Sequence, residues 1–109
     1  MTTPPKPAPK DPADCTSMAE VRAGIDAVDA DLVALLAVRA AYIDRAAVLK
    51  GPLGLPARID WRVEEVVARV RAQAAAQGLD PDLAEALWRR LIAWSITREE
   101  RILGKDDRQ

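Results

Sequence analysis

Among the cations in the first half of the chain, Arg22, Arg39 and Lys50 have the spacing that could do chemistry. Arg39 and Lys50 stand eleven residues apart in the stretch "DLVALLAVRAAYIDRAAVLKGP". At 3.6 residues per turn this interval is nearly a whole number of turns, which puts both on one side of a helix, about 16 Å apart. The same side carries Val28, Leu32, Leu35 and Ala46, residues that by type belong against a core. A cation in a core needs a counter-charge, because burial strips it of water and nothing else repays that loss. Either an anion comes to meet the pair, or the two side chains snorkel out of the core's edge. The gap between their ends suits a small dicarboxylate, since an arginine offers a bidentate fork to a carboxylate.

Arg22 precedes Arg39 by seventeen residues, about 25 Å along a straight helix and about 100° around it. Extended arginines of one chain cannot close that gap around one small ligand. In an antiparallel pair of chains, Arg22 of one approaches Arg39 of the other. The plainer reading is that these cations are solvated or paired with Asp26, Asp29, Asp31 and Asp44. For Lys50, the helix dipole alone also explains a lysine in a last turn. Cys15 has no base near it in sequence that would make it a nucleophile.

The absence of histidine removes the usual triads, the usual zinc sites and the commonest general base. A single cysteine forbids an internal disulfide. Chemistry is left to Arg, Lys, carboxylates and hydroxyls. A net charge of -1 argues against nucleic acid or an anionic membrane as main partner, since both attract basic surfaces. No apolar run approaches the roughly 20 residues of a membrane span. The start, "MTTPPKPAPKDPAD", lacks the apolar centre of a secretory signal, so the expected location is cytoplasmic.

The elements that must carry these residues are all helical. At 109 residues the chain makes one domain, and no segment shows a strand's alternation. Residues 1–14, rich in Pro, Lys and Asp, are expected to form a disordered tail. Ser17 and Glu20 make a capping-box pattern that opens a first helix over 18–50. Its stripe is Val21, Ile25, Val28, Leu32, Leu35, Tyr42 and Ala46, and "GPLGLPA" (51–57) is expected to stop it. A second helix over 58–77 shows the stripe Ile59, Val63, Val66, Val67 and Val70, ending at Gly78. Asp80 and Pro81 open a third, which Leu83, Leu87, Leu91, Trp94 or Ser95, and Ile102 carry to Gly104. The helical domain is therefore 15–104, with a short tail at 105–109. The three tryptophans, Trp61, Trp88 and Trp94, read as core or interface residues. A first helix of about 50 Å overhangs a domain whose radius of gyration is about 13 Å. Its stripe needs a cover, and a second copy of the chain is the simplest one.

The run "DCTSMAEVRAGIDAVDADLVALLAVRAAYIDRAAVLK" resembles the first helix of the all-helical (type II) chorismate mutase family. It looks most like the branch that holds the isochorismate-pyruvate lyases of salicylate and siderophore synthesis. "WRVEEVVARVRAQAAAQGLD" and "LWRRLIAWSITREE" are similar to that family's second and third helices, so the resemblance covers residues 14–103. It implies an intertwined homodimer with three helices per chain, no metal or organic cofactor, and a small dianionic substrate. By position, Arg22 matches the arginine donated by the partner chain, and Arg39 and Lys50 the main in-chain ligands. Arg62 matches a further cation at the start of helix 2.

The implied chemistry is pericyclic and needs no external acid, base or nucleophile. Arg22 and Arg39 would hold the substrate's two carboxylates. Lys50, as a cation, and Glu99, as a neutral donor, would flank the ether oxygen, with Ser95 one turn before Glu99. Val63, where mutases often have Glu, and the "DCT" start lean toward the lyase branch, whereas Ser95 and "SITREE" resemble mutases. The expectation taken first is chorismate mutase; isochorismate-pyruvate lyase is the alternative and a non-catalytic helical dimer module the third. Removing Lys50 is expected to lower turnover with little effect on stability.

Overall fold

A computed structural model describes residues 10–106, with side chains to residue 104. Three helices follow a single 3-10 turn at Pro12–Asp14: α1 (Met18–Leu53), α2 (Asp60–Gln77) and α3 (Pro81–Asp106). The first is the longest, at 36 residues against 18 and 26. The all-α class, the three helices and the long first one are as the sequence predicts. Of the segment expected to be a disordered tail, residues 1–9 lie outside the described residues, while 12–14 form the turn. Of the expected C-terminal tail, 105 and 106 belong to α3 and 107–109 lie outside the described residues.

The chain divides into two compact units, Met1–Arg39 and Ala40–Gln109. In the first unit, the start of α1 is fastened by its own side chains. The Glu20 amide donates to Ser17 Oγ at 3.2 Å, half of the expected capping box. The other half lands one residue early: Glu20 Oε1 accepts from the Thr16 amide at 3.0 Å and the Thr16 hydroxyl at 2.9 Å. Lys10 closes an ion pair with the same carboxylate, drawing the preceding segment back over α1. An apolar cleft lined by Pro12, Cys15, Val21, Ile25 and Val28 results. Further along, Ile25, Val28, Leu32 and Leu35 are 51–66% exposed, so within this unit the apolar stripe of α1 makes no core.

In the second unit α2 and α3 form an antiparallel hairpin, as the short connection between them requires. Val63, Val67 and Ile92 pack with Val66 and Ile96; Val70, Ala74 and Ala84 pack with Val66 and Trp88. The face of α2 is the predicted one. That of α3 is met in part: of the expected positions Ser95 is buried and Leu91 and Ile102 half-buried, whereas Leu83, Leu87 and Trp94 are about half exposed and Ala84, Ile92 and Glu99 are buried in addition. Two apolar stripes run side by side on α3, and the one with the smaller residues faces inward. Ala84, 1% exposed, brings the helices close where leucine would hold them apart. Of the tryptophans, only Trp88 is half-buried; Trp61 and Trp94 are exposed.

Helix ends follow local chemistry. Asp80 Oδ1 accepts from the Asp82 amide at 2.9 Å, the predicted N-cap of α3. Gly78, at φ +75°, lies in the left-handed region and ends α2. The first helix runs three residues past its predicted end, through Pro52. Proline's fixed φ is already helical, and in a final turn it forfeits one amide bond rather than interrupting a long ladder. Conversely α2 begins two residues late, at Asp60, after an Ile59 that makes no side-chain cap. Across the hairpin Arg71 donates to Pro81 O, Asp82 and Glu85, and Arg89 bridges Glu85 and Glu64.

The Lys10 ion pair, with the Thr16 and Ser17 donors, pulls the Glu20 carboxyl down to about 2 from the ordinary 4.5. A group whose folded value is depressed stabilises the fold above its unfolded value and ceases to do so as pH falls through the folded one. The opening turn of α1 should therefore hold at pH 5 and loosen progressively between about 4.5 and about 2. A carbon-detected NMR titration of the Glu20 carboxyl should give that low midpoint, and Lys10→Ala should raise it.

Candidate active site

The second unit gathers two of the predicted residues into one contact. Lys50, in the last turns of α1, and Glu99, on the inner face of α3, approach to 2.7 Å between Nζ and Oε1. Both side chains are largely withdrawn from water, at 18% and 6% exposure. The ammonium also donates to the Ala57 carbonyl at 2.9 Å, so one cation joins α1, α3 and the connection to α2. The approach to Glu99 is a charge contact lying off the line of a hydrogen bond. Glu99 Oε1, wholly buried, has no hydrogen-bond partner among the described residues.

Glu99 is buried because α3 packs through its small-residue stripe, which carries positions 95 and 99 inward. Ser95, 4% exposed, lies one turn before Glu99, and its hydroxyl donates to the Leu91 carbonyl at 2.7 Å. That back-bond within the helix quiets the hydroxyl in place. On the outer side of the same two helices, Arg98 grips Asp44 with a two-pronged contact, Nε–Oδ1 at 2.8 Å and Nη2–Oδ2 at 3.1 Å. Arg98 holds the Asp44 carboxyl below the usual carboxylate range. This clamp and the Lys50–Glu99 pair fix the end of α1 to α3 at two points.

Arg62 makes a contact of its own. Arg62 Nη1 is drawn to Glu65 at 2.5 Å, one turn further along α2, and is half exposed. Arg22 is exposed on α1, and Arg39, also on α1, is half-buried. Val63 serves the core, 8% exposed against Val67 and Ile92, and presents no polar group. Sequence reasoning did not find the Ala57 carbonyl, because a backbone acceptor has no residue type to betray it. It did not find the Asp44–Arg98 clamp either: 54 positions separate the partners, and spacing carries no signal at that distance. No three His, Cys, Asp or Glu side chains converge as a metal site would need among the described residues.

A half-buried lysine set against a buried carboxylate, with a carbonyl of the α1–α2 connection as third partner, is a polar cluster built without histidine. Comparison with known proteins supplies the family. The chorismate mutase type II family model matches residues 21–100. The chain is 33% identical to the isochorismate pyruvate lyase of Pseudomonas aeruginosa over 91 residues, covering 83% of this chain and 88% of that one. It is 37% identical to the T-protein of Enterobacter agglomerans over 79 residues, 72% of this chain but only 21% of that protein. The chain belongs to the type II chorismate mutase family.

The Lys50–Glu99 pair bears on the expectation that losing Lys50 has little effect on stability. Deleting the ammonium leaves a buried carboxylate without its counter-charge, a loss of about 3 kcal/mol. Lys50→Ala should therefore unfold at lower urea, and adding Glu99→Gln to it should recover more than half of the difference. Urea titrations of the two single variants and the double variant measure the coupling.

Proposed function

We propose that the protein is a chorismate mutase, converting chorismate to prephenate in a cationic site completed by a second copy of the chain. The observation that carries this reading is the buried Lys50–Glu99 pair, a cation and an acid held together out of water. In the rearrangement the ether C–O bond breaks as a C–C bond forms, and the ether oxygen gains negative charge in the transition state. An ammonium fixed beside that oxygen stabilises the transition state more than the ground state, which is what accelerates a reaction. Glu99, beside the ammonium, faces the same oxygen, where a neutral hydrogen-bond donor helps and a second negative charge would repel.

Arg39 and Arg22 of the second copy take the two carboxylates and hold the reactive conformer, with Arg62 swinging from Glu65 to complete the cage. Ser95, fixed beside Glu99, lines its floor. A homodimer also answers the exposed stripe of α1, where Ile25, Val28, Leu32 and Leu35 have no cover within the chain. A patch of that length is unusual on a protein that stays single.

A second reading, isochorismate-pyruvate lyase, is favoured by the Pseudomonas aeruginosa relative, which matches along 88% of its own length, and by the apolar Val63. The same cage serves both reactions. Purified protein incubated with each substrate separately decides: prephenate from chorismate supports the mutase, salicylate with pyruvate from isochorismate the lyase. Inertness toward both sinks either enzyme reading.

The shared site has its own test. Arg22→Ala and Arg39→Ala chains, each inactive alone, should regain part of the wild-type rate when mixed, because one site in each mixed dimer recovers both arginines. Subunit exchange without recovery contradicts the shared site. Within one site, Lys50→Ala should lower kcat by about a hundredfold or more, as loss of a transition-state charge contact does. Glu99→Gln, a neutral donor of nearly the same shape, should keep turnover.

A further inference from the structure

We infer that Gly54 is a positioning residue for the reaction: its left-handed backbone closes the turn that holds the Lys50 ammonium between Ala57 and Glu99. The inference rests on the assignment of Lys50 to the ether oxygen. Gly54 sits at φ +67°, where side-chain-bearing residues are strained. That conformation lets two amides double back onto the end of α1. The Gly54 amide donates to the Gly51 carbonyl at 3.1 Å, and the Leu55 amide to the Lys50 carbonyl at 3.1 Å. The pair of bonds is a Schellman cap, and its innermost acceptor is Lys50.

Lys50 is thus held twice by the segment it precedes. Its carbonyl accepts from Leu55, and its ammonium donates to Ala57 two residues further on. Main chain and side chain of one residue close a ring through the turn at Gly54. Pro52 and Pro56 flank the turn and restrict their own φ and the residue before each. A change of backbone at position 54 is therefore passed on to Ala57 rather than absorbed. Space is not what requires glycine here, since a Cβ at this position would meet nothing within 4 Å. The requirement is the dihedral angle alone.

The chain carries its own control. Gly78 caps α2 in the same way, at φ +75°, with its amide to Ala75 O at 3.2 Å and the Leu79 amide to Ala74 O at 2.8 Å. A Cβ there also meets nothing within 4 Å. The backbone strain is matched, but the residue whose carbonyl takes the corresponding bond is Ala74, which has no ammonium to place.

Gly54→Ala and Gly78→Ala should lower the melting temperature by similar amounts. Only Gly54→Ala should free the Lys50 ammonium. Brief acylation with acetic anhydride, read by mass spectrometry against Lys10 in the same molecule, should label Lys50 at least about threefold faster in Gly54→Ala than in wild type. Gly78→Ala should label as wild type does. Gly54→Asn, which tolerates the left-handed region, should restore most of the protection. With chorismate or isochorismate, Gly54→Ala should lose about tenfold or more in kcat while KM changes little, as misplacement of a catalytic group does. Unchanged Lys50 labelling in Gly54→Ala, or equal labelling gains in both alanine variants, overturns the inference. The labelling needs no turnover, so it stands or falls apart from the enzyme reading.

Discussion

One ion pair organises the second unit: the ammonium of Lys50 against the carboxylate of Glu99. Each charge is tolerable out of water only because the other is there. Satisfying both requires the end of α1, the inner face of α3 and the connection before α2 to meet at one place. The apolar hairpin of α2 and α3 supplies the low-polarity backing that makes the pair stiff. The Asp44–Arg98 clamp, two turns earlier on α1, sets the angle at which the helix arrives. Burial raises the stakes of the contact in both directions, because low polarity strengthens the attraction and makes either partner costly to leave alone.

Such a pair is also suited to electrostatic catalysis. A site that stabilises a developing negative oxygen must present positive charge already in place, since reorienting dipoles during the reaction forfeits much of the gain. Here the ammonium is fixed by two acceptors of different kinds, a carboxylate and a backbone carbonyl. Glu99 Oε1, short of a hydrogen-bond partner, is the member least well served by the protein. The rearrangement proposed for this member of the type II chorismate mutase family would ask for positive charge already in place.

Much of this was legible in the sequence, for reasons that can be stated residue by residue. Helices α1, α2 and α3 announced themselves through caps: Ser17 and Glu20, Gly78, and Asp80 before Pro81. Their bonds are local, so residue types at short spacing carry the information. Lys50 stood out by its spacing from Arg39, and Glu99 through resemblance to a family, but their pairing was not legible from spacing, because they lie 49 positions apart. The inner face of α3 was legible only in part, at Ser95, for a physical reason. Hydrophobicity favours the stripe of Leu83, Leu87 and Trp94, yet close packing against α2 favours the stripe that begins with Ala84. Size decided over polarity, and that choice is what carries Ser95 and Glu99 inward.

The buried apolar residues of the described chain are Ala47, Val63, Val67, Val70, Ala74, Ala84 and Ile92, all small or medium, with no large side chain fully enclosed. A core of that kind exposes little apolar area on unfolding. Its heat-capacity change and denaturant sensitivity, taken alone, would be those of a smaller protein. Most of the large apolar side chains lie on faces that this chain leaves uncovered. A species that covered them would contribute free energy that varies with the logarithm of its concentration. The melting temperature would then be a property of the solution as well as of the chain, rising as the covering species became more abundant.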